Sequence, residues 1–184
     1  MKCDFSNFSS MRVSAWIFGL AIMVLLVAPQ AGASAQEAKY QSVFMYNFSK
    51  YIKWPDAYVS DHFVIGVLGD NRELYEHLVQ MSETKKSANG LPIEIVQYRT
   101  IGDIGRCHML FISSNYCDQI KQVKQAIANM PVLTITDVPG MAKKGSVINF
   151  VNKGDNIKFE LNMDRARECG LMVAGSLASL AILL

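Results

Sequence analysis

Three short runs constrain the fold more than any other feature of the chain. FVIGVLGD (63–70), HMLFISS (108–114) and VLTITD (132–137) are largely apolar, and each closes in polar or turn-forming residues. They are too short for buried helices and lack the alternation of a half-wet sheet, so they read as strands covered on both faces. IEIVQY (93–98) alternates and adds a further strand. Helical patterns separate them. NRELYEHLVQM (71–81) sets Leu74, Leu78 and Met81 on one side behind Asn71 as N-cap, and NYCDQIKQVKQAIANM (115–130) is amphipathic up to Pro131. After the loop VPGMAKKGS (138–146), VINFV (147–151) and IKFEL (157–161) flank Asn152-Lys153-Gly154-Asp155 as a hairpin. Asn162 or Asp164 then caps a short helix that Gly170 ends. This order predicts an α/β fold: a single compact domain with a mostly parallel sheet flanked by helices and an antiparallel hairpin at one edge.

In such sheets ligands bind at the carboxyl ends of strands, where connections diverge. Three of those ends carry polar residues, which makes Gly69, Asp70, Ser113, Ser114, Thr136 and Asp137 the ligand-binding candidates. Their ordinary alternative use is as turn and cap residues.

Ahead of the first strand stands FMYNFSKYIKWP (44–55), dense in aromatic residues. The period over residues 40–53 is helical, with Tyr40, Val43, Phe44, Met45, Phe48, Tyr51 and Ile52 on a broad apolar arc. Ser42, Ser49, Lys50 and Lys53 take the other side together with Tyr46, and Trp54-Pro55 stops the helix. Asn47 falls inside the arc, where an unpaired amide would cost on the order of 1–3 kcal/mol. It is therefore either a satisfied core asparagine or a further ligand contact. Phe44, Phe48 and Tyr51 are expected to pack on the sheet, whereas Tyr46 and Trp54 at the margins are candidate anchors for a partner. The last fifteen residues, GLMVAGSLASLAILL, hold no charge and read as a helix buried on more than one face. Leu180 there is a further partner-interface candidate, expected to be buried where this helix meets the first one, within a chain or across a dimer, so that a charge at it should be severe.

Residues 11–35 place Arg12 before an apolar run of sixteen (13–28), then Pro29 and the small residues Ala33-Ser34-Ala35. That is the pattern of a secretory signal cleaved after Ala35, and the run is shorter than the roughly twenty residues a membrane span requires. Residues 1–35 are thus expected to be a signal peptide and 36–184 the working domain, with Met11 an alternative start to Met1. Removing Lys2, Arg12 and Asp4 leaves sixteen basic and fifteen acidic residues, which gives no reason to expect a nucleic-acid partner. Cys107, Cys117 and Cys169 survive the cleavage; none has the spacing of a metal site. The GVLGD turn lacks a dinucleotide fingerprint, and no phosphate-loop motif occurs. Cys107 and His108 are neighbours on a strand and point to opposite faces, so they do not form a nucleophile–base couple. No catalytic set, metal or cofactor is assigned. The enzymatic alternative is a small-molecule-binding or hydrolytic protein that uses Asp70 and Asp137 at the strand ends.

FMYNFSKYIKWP, FVIGVLGD, RCHMLFISS, PVLTITDVPGMAKKGSVINFV and IKFELNMDRARECGL, in that order behind a signal peptide, resemble the YfiR family of periplasmic proteins. The resemblance spans nearly all of the chain after residue 35. It implies a compact α/β domain, usually a homodimer, localised to the periplasm. It also implies a regulator that represses an inner-membrane diguanylate cyclase, or another membrane receptor, and so limits cyclic-di-GMP and biofilm formation. The uncharged end departs from the basic last helix expected of a relative.

The thiols give a first testable outcome. Cys107 and Cys117 lie beyond opposite ends of one strand, and six extended residues span roughly 20 Å. A disulfide tolerates about 4.4–6.8 Å between α-carbons. Non-reducing peptide mapping of the monomer should therefore recover Cys107 and Cys117 unlinked to each other, with either one open to Cys169.

Overall fold

In a computed structural model the described residues are 31–58, 61–153 and 156–184. The apolar run at 13–28 and the hairpin turn at Gly154-Asp155 lie outside them. No described helix is long and apolar enough to cross a membrane.

The expected parallel core is present. Strands β2 (Phe63–Leu68), β3 (Ile93–Tyr98), β4 (Met109–Ile112), β5 (Leu133–Thr136), β6 (Ile148–Lys153), β7 (Asn156–Leu161) and β9 (Ile182–Leu183) form one sheet in the order β3-β2-β4-β5-β6-β7-β9. The neighbours from β3 through β6 are parallel, β6 and β7 make the antiparallel hairpin, and β9 runs parallel to β7. The hairpin thus lies one strand in from the margin. A second, two-stranded antiparallel ribbon joins β1 (Ile52–Lys53) to β8 (Met172–Val173).

Alternation along the strands divides the core into two layers. Ile65, Val67, Met109 and Phe111 face the long helix α1 (Ala31–Tyr51) and α2 (Arg72–Thr84), with Ala166 of α6 (Met163–Glu168) and Leu177 of α7 (Gly175–Ala178) in the same layer. Leu68, Leu110 and Ile112 face α3 (Ser114–Cys117), α4 (Ile120–Ala126) and Met141 of α5 (Met141–Lys144). Cys107 belongs to the second layer, while the His108 ring stacks on Phe63 of the first, as the strand geometry requires. The predicted caps are in place: Asn71 accepts from the Leu74 N–H at 3.1 Å and Asn162 from the Arg165 N–H at 2.9 Å.

Helix α1 lies differently from its hydrophobic arc. Ala38, Gln41, Ser42, Met45, Phe48, Ser49 and Ile52 are buried, whereas Tyr40, Val43 and Tyr51 are 48, 51 and 46% exposed. The serines tolerate burial because their hydroxyls donate within the helix, Ser42 to the Lys39 carbonyl at 2.8 Å and Ser49 to the Tyr46 carbonyl at 2.6 Å. Phe44 and Phe48 do pack on the sheet, against Phe150 and Phe159. Tyr51 does not.

Two expected helices and one expected loop change form. The segment 115–130 is interrupted between α3 and α4, and the loop at 138–146 contains α5. The uncharged terminus is β8, one short helix and β9 rather than a helix throughout. Gly175, Ser176 and Ser179 offer poor helical continuity there, while the backbone of Ile182 and Leu183 gains a pairing partner in β7. Leu180 is consequently 70% exposed instead of buried.

Gly66 shows how closely the second layer is packed. A Cβ at that position would lie 2.4 Å from Cε2 of the buried Tyr98 ring and 3.1 Å from Leu110 Cδ1. Gly66→Ala should therefore overpack the sheet and cost about 1–3 kcal/mol, read as a lower urea midpoint at unchanged m-value.

Candidate functional site

The strand-end candidates do not converge on one crevice. Gly69 and Asp70 border a cavity of about 320 Å³ with Gln97, Arg99, Asn115 and Tyr116. Gly69 adopts φ +88°, and an added Cβ would come within 2.6 Å of Asn115 Oδ1 and 2.8 Å of Tyr116 Cδ2. A glycine is required there both for the backbone sign and for the close approach. The Gln97 amide donates to the Gly69 carbonyl, which ties β3 to the turn. Ser113 sits beneath Gly69, buried, with no hydrogen-bond partner for its hydroxyl among the described residues; Ser114 is exposed at the start of α3.

Thr136 and Asp137 serve other purposes. Thr136 is fully buried, donates to Asn149 Oδ1 at 2.8 Å and lies 2.9 Å from the Ser146 hydroxyl. Asn149 donates in turn to Glu160 at 3.0 Å, so the network stitches β5 to β6 and β7. Asp137 accepts from Gln41 on α1 at 3.5 Å. Burial raises the pKa of its carboxyl, the Gln41 bond opposes that shift, and the nearby Glu37 charge adds to it. Asn47 is only half-buried on α1 and takes part in neither cluster, which removes the need for an internal partner. Among the described residues no group of His, Cys, Asp and Glu side chains could hold a metal ion.

A better-built cavity lies at the opposite, amino ends of the strands. It encloses about 360 Å³ between the end of α1, β1, Phe63, the loop following α2 and Met172. Trp54, Phe63 and His108 form an aromatic cluster that contributes to its lining: Phe63 stacks on the imidazole at 4.6 Å, and Trp54 meets Phe63 edge-on at 4.9 Å. The indole N–H donates to the His108 carbonyl at 3.0 Å. His108 Nδ1 accepts the Val64 N–H at 3.0 Å, which places the proton of the neutral ring on Nε2. Arg106 donates to the Tyr58 carbonyl at 2.6 Å and lies over the Tyr58 ring. Lys50 is held by the carbonyls of Lys86 and Ser87 at 2.8 and 2.9 Å.

Reading the sequence misses this cavity because it considers His108 only as a partner for Cys107. The signal available was one histidine heading an otherwise apolar buried strand. Trp54, taken as a surface anchor, is 6% exposed and is spent inside this cluster. Tyr46 is half-buried, with the Lys50 and Lys85 ammoniums 5.2 and 5.9 Å from its ring centre.

The described surface has one more marked feature. Its large exposed apolar residues are Tyr40, Val43 and Tyr51 on α1, and Met172, Leu180, Leu183 and Leu184 near the carboxyl terminus. The β1–β8 ribbon brings these two segments together, since Ile52 opposes Val173 and the Ala174 N–H donates to the Tyr51 carbonyl at 2.9 Å. Residues 38–182 match the YfiR/HmsC-like family over nearly this whole fold. The chain belongs to that family. YfiR-like proteins are periplasmic regulators rather than enzymes, and they interact with membrane sensor proteins. No curated protein matches the chain.

Among solved structures, the YfiR-like chain is similar to a conserved domain protein of Vibrio cholerae, at 8% identity and a TM-score of 0.50, covering 79% of this chain and 59% of that one. It also aligns with a Streptococcus pneumoniae ABC domain in complex with L-Trp, at 14% identity and a TM-score of 0.47, covering 66% of this chain and 56% of that one. The chain thus spans less than two thirds of either structure, and the first likeness concerns the fold alone.

The buried imidazole predicts a pH dependence. Burial first, and the Arg106 charge second, lower the His108 pKa to about 4, with the Tyr58 carbonyl partly offsetting them. In the unfolded chain a histidine titrates near 6.5. Between those values the unfolded state binds more protons, so stability is full above about pH 6.5 and declines as pH falls toward 4. The full difference is about 3 kcal/mol. Urea titrations across that range, with the His108 ring signals followed by NMR, should show the loss and a ring still neutral at about pH 5.5.

Proposed function

We propose that this protein is a periplasmic repressor that binds the periplasmic sensor domain of an inner-membrane signalling protein, a diguanylate cyclase, and so limits cyclic-di-GMP and biofilm formation. Residues 1–35 act as the export signal and 36–184 as the regulatory domain. Membership of the YfiR/HmsC-like family supports the reading. The observation that carries it is the confinement of the large exposed apolar residues of the described surface to α1 and the terminal segment. Exposed apolar side chains gathered on two segments that the β1–β8 ribbon joins are what an interaction face requires. The β9 edge beside it leaves one side of the strand unpaired by the sheet, a second means of docking. A second copy of the chain is the competing occupant of this face, and a homodimer would use the same residues.

Deleting the gene should raise cyclic-di-GMP and surface attachment, and restoring the wild-type gene should reverse both. Leu180→Asp is the sharper test. Leu180 is exposed, so the change should alter stability by no more than about 0.5 kcal/mol while releasing repression. Light scattering of the same variant separates the two occupants, because only loss of a homodimer lowers its mass. A folded Leu180→Asp protein that still represses fully would exclude this face as the regulatory surface.

A further inference from the structure

A polar crevice lies over a topological switch point of the sheet. From β2 the chain runs through α2, in the first layer, to β3; from β4 it runs through α3 and α4, in the second layer, to β5. Strands β2 and β4 are neighbours, with β3 and β5 on their outer sides. The two connections therefore leave adjacent carboxyl ends toward opposite faces and opposite margins, the place where open α/β sheets take their ligands. The cavity beside Gly69 occupies this position. Its volume, about 320 Å³, lies at the lower end of the range for small-ligand sites.

Every described residue lining it is polar, aromatic or glycine. Asp70, Gln97, Arg99 and Asn115 stand around the Gly69 backbone, and the Tyr116 ring supplies a flat apolar wall. That ring is fixed, because its hydroxyl donates to the Arg99 carbonyl at 2.6 Å. The Gln97 amide nitrogen is engaged by the Gly69 and Val67 carbonyls, which leaves its oxygen as an acceptor. The Asp70 carboxylate, the Arg99 guanidinium and the Asn115 amide make no hydrogen bond or ion pair among the described residues. Beneath Gly69 the buried Ser113 hydroxyl is likewise without a partner among them. One acid and one base balance in charge, while donors and acceptors are both left over. A ligand suited to this lining carries groups that donate and accept at once, which is the property of a hydroxyl.

We propose that this crevice binds a neutral polyhydroxylated ring, a pyranose sugar. Its hydroxyls donate to Asp70 and Gln97 and accept from Arg99 and Asn115, and the apolar face of the ring lies on Tyr116. The crevice shares no residue with the exposed face of α1 and the terminus. Binding is measured on the isolated protein, so it stands or falls separately from repression of a partner.

The probes are glucose, galactose and N-acetylglucosamine, each titrated into the purified, isotope-labelled protein and followed by NMR. At least one should shift the Gly69 N–H and the Asn115 and Gln97 side-chain amides saturably, with a dissociation constant on the order of 1 mM, as a ligand of that size allows. Tetrahydropyran, the same ring without hydroxyls, should leave those signals in place. Glycine, a zwitterion with fewer hydrogen-bonding groups, should bind at least about tenfold more weakly than the sugar. Asp70→Ala and Arg99→Ala change exposed side chains and leave the fold intact; each should weaken the sugar by about tenfold or more through the loss of a charged hydrogen bond. No saturable shift with any of the sugars, shifts confined to residues outside the crevice, equal binding of tetrahydropyran or glycine, or unchanged affinity in both variants would overturn the assignment.

Discussion

The contact of Phe48 with Phe150 and Phe159, at ring distances of 6.0 and 5.2 Å, sets the orientation on which the remaining structure depends. Phe48 is fully buried, and its removal from water contributes roughly 1.5–3 kcal/mol. Aromatic pairing adds about 0.5–1.5 kcal/mol per contact. With that ring seated on the hairpin, the small side chains of Ser42 and Ser49 must face the sheet. Tyr40, Val43 and Tyr51 are left on the outside. The apolar outer stripe of α1 is thus a consequence of its seating, and it supplies the surface on which a partner can act.

The same seating directs the end of α1 toward the amino ends of the parallel strands. Ile52 and Lys53 leave the helix to pair with β8, and Trp54 enters the core to bond the His108 carbonyl. His108 then joins β4 to β2 twice, through its own N–H to the Val64 carbonyl and through Nδ1 from the Val64 N–H. One histidine thereby aligns two strands and lines a cavity. A buried neutral imidazole carries a cost in acid, and the same burial keeps Nδ1 an acceptor for the Val64 N–H at neutral pH.

The opposite ends of the strands distribute their polar residues differently. At β2 and β4 the left-handed Gly69 turn and Asn115 leave an open crevice, whereas at β5 the Thr136 hydroxyl is absorbed by Ser146 and Asn149. Asp137 is turned toward Gln41. Similar residues at equivalent strand ends therefore do unlike work, because one end meets a helix and a hairpin while the other meets short turns.

By itself the sequence determined the elements whose signals are local. Apolar runs too short for helices had to become doubly covered strands, and Asn71 had to cap because the orphan N–H it satisfies is three residues away, whereas the choice of Asn162 over Asp164 came with the structure. The resemblance carried by its longer blocks pointed to the family. Tertiary structure alone decided which face of α1 is buried, since seven apolar positions spread over half a helix do not choose a side and two serines can satisfy themselves inside it. It also decided that the terminus forms strands, because Ile182 and Leu183 gain backbone partners only once β7 is in place. The cavity is the clearest case. Lys53 to Phe63, His108 and Met172 come from three separate stretches of the chain, and only packing, which acts on distance in space, brings them together.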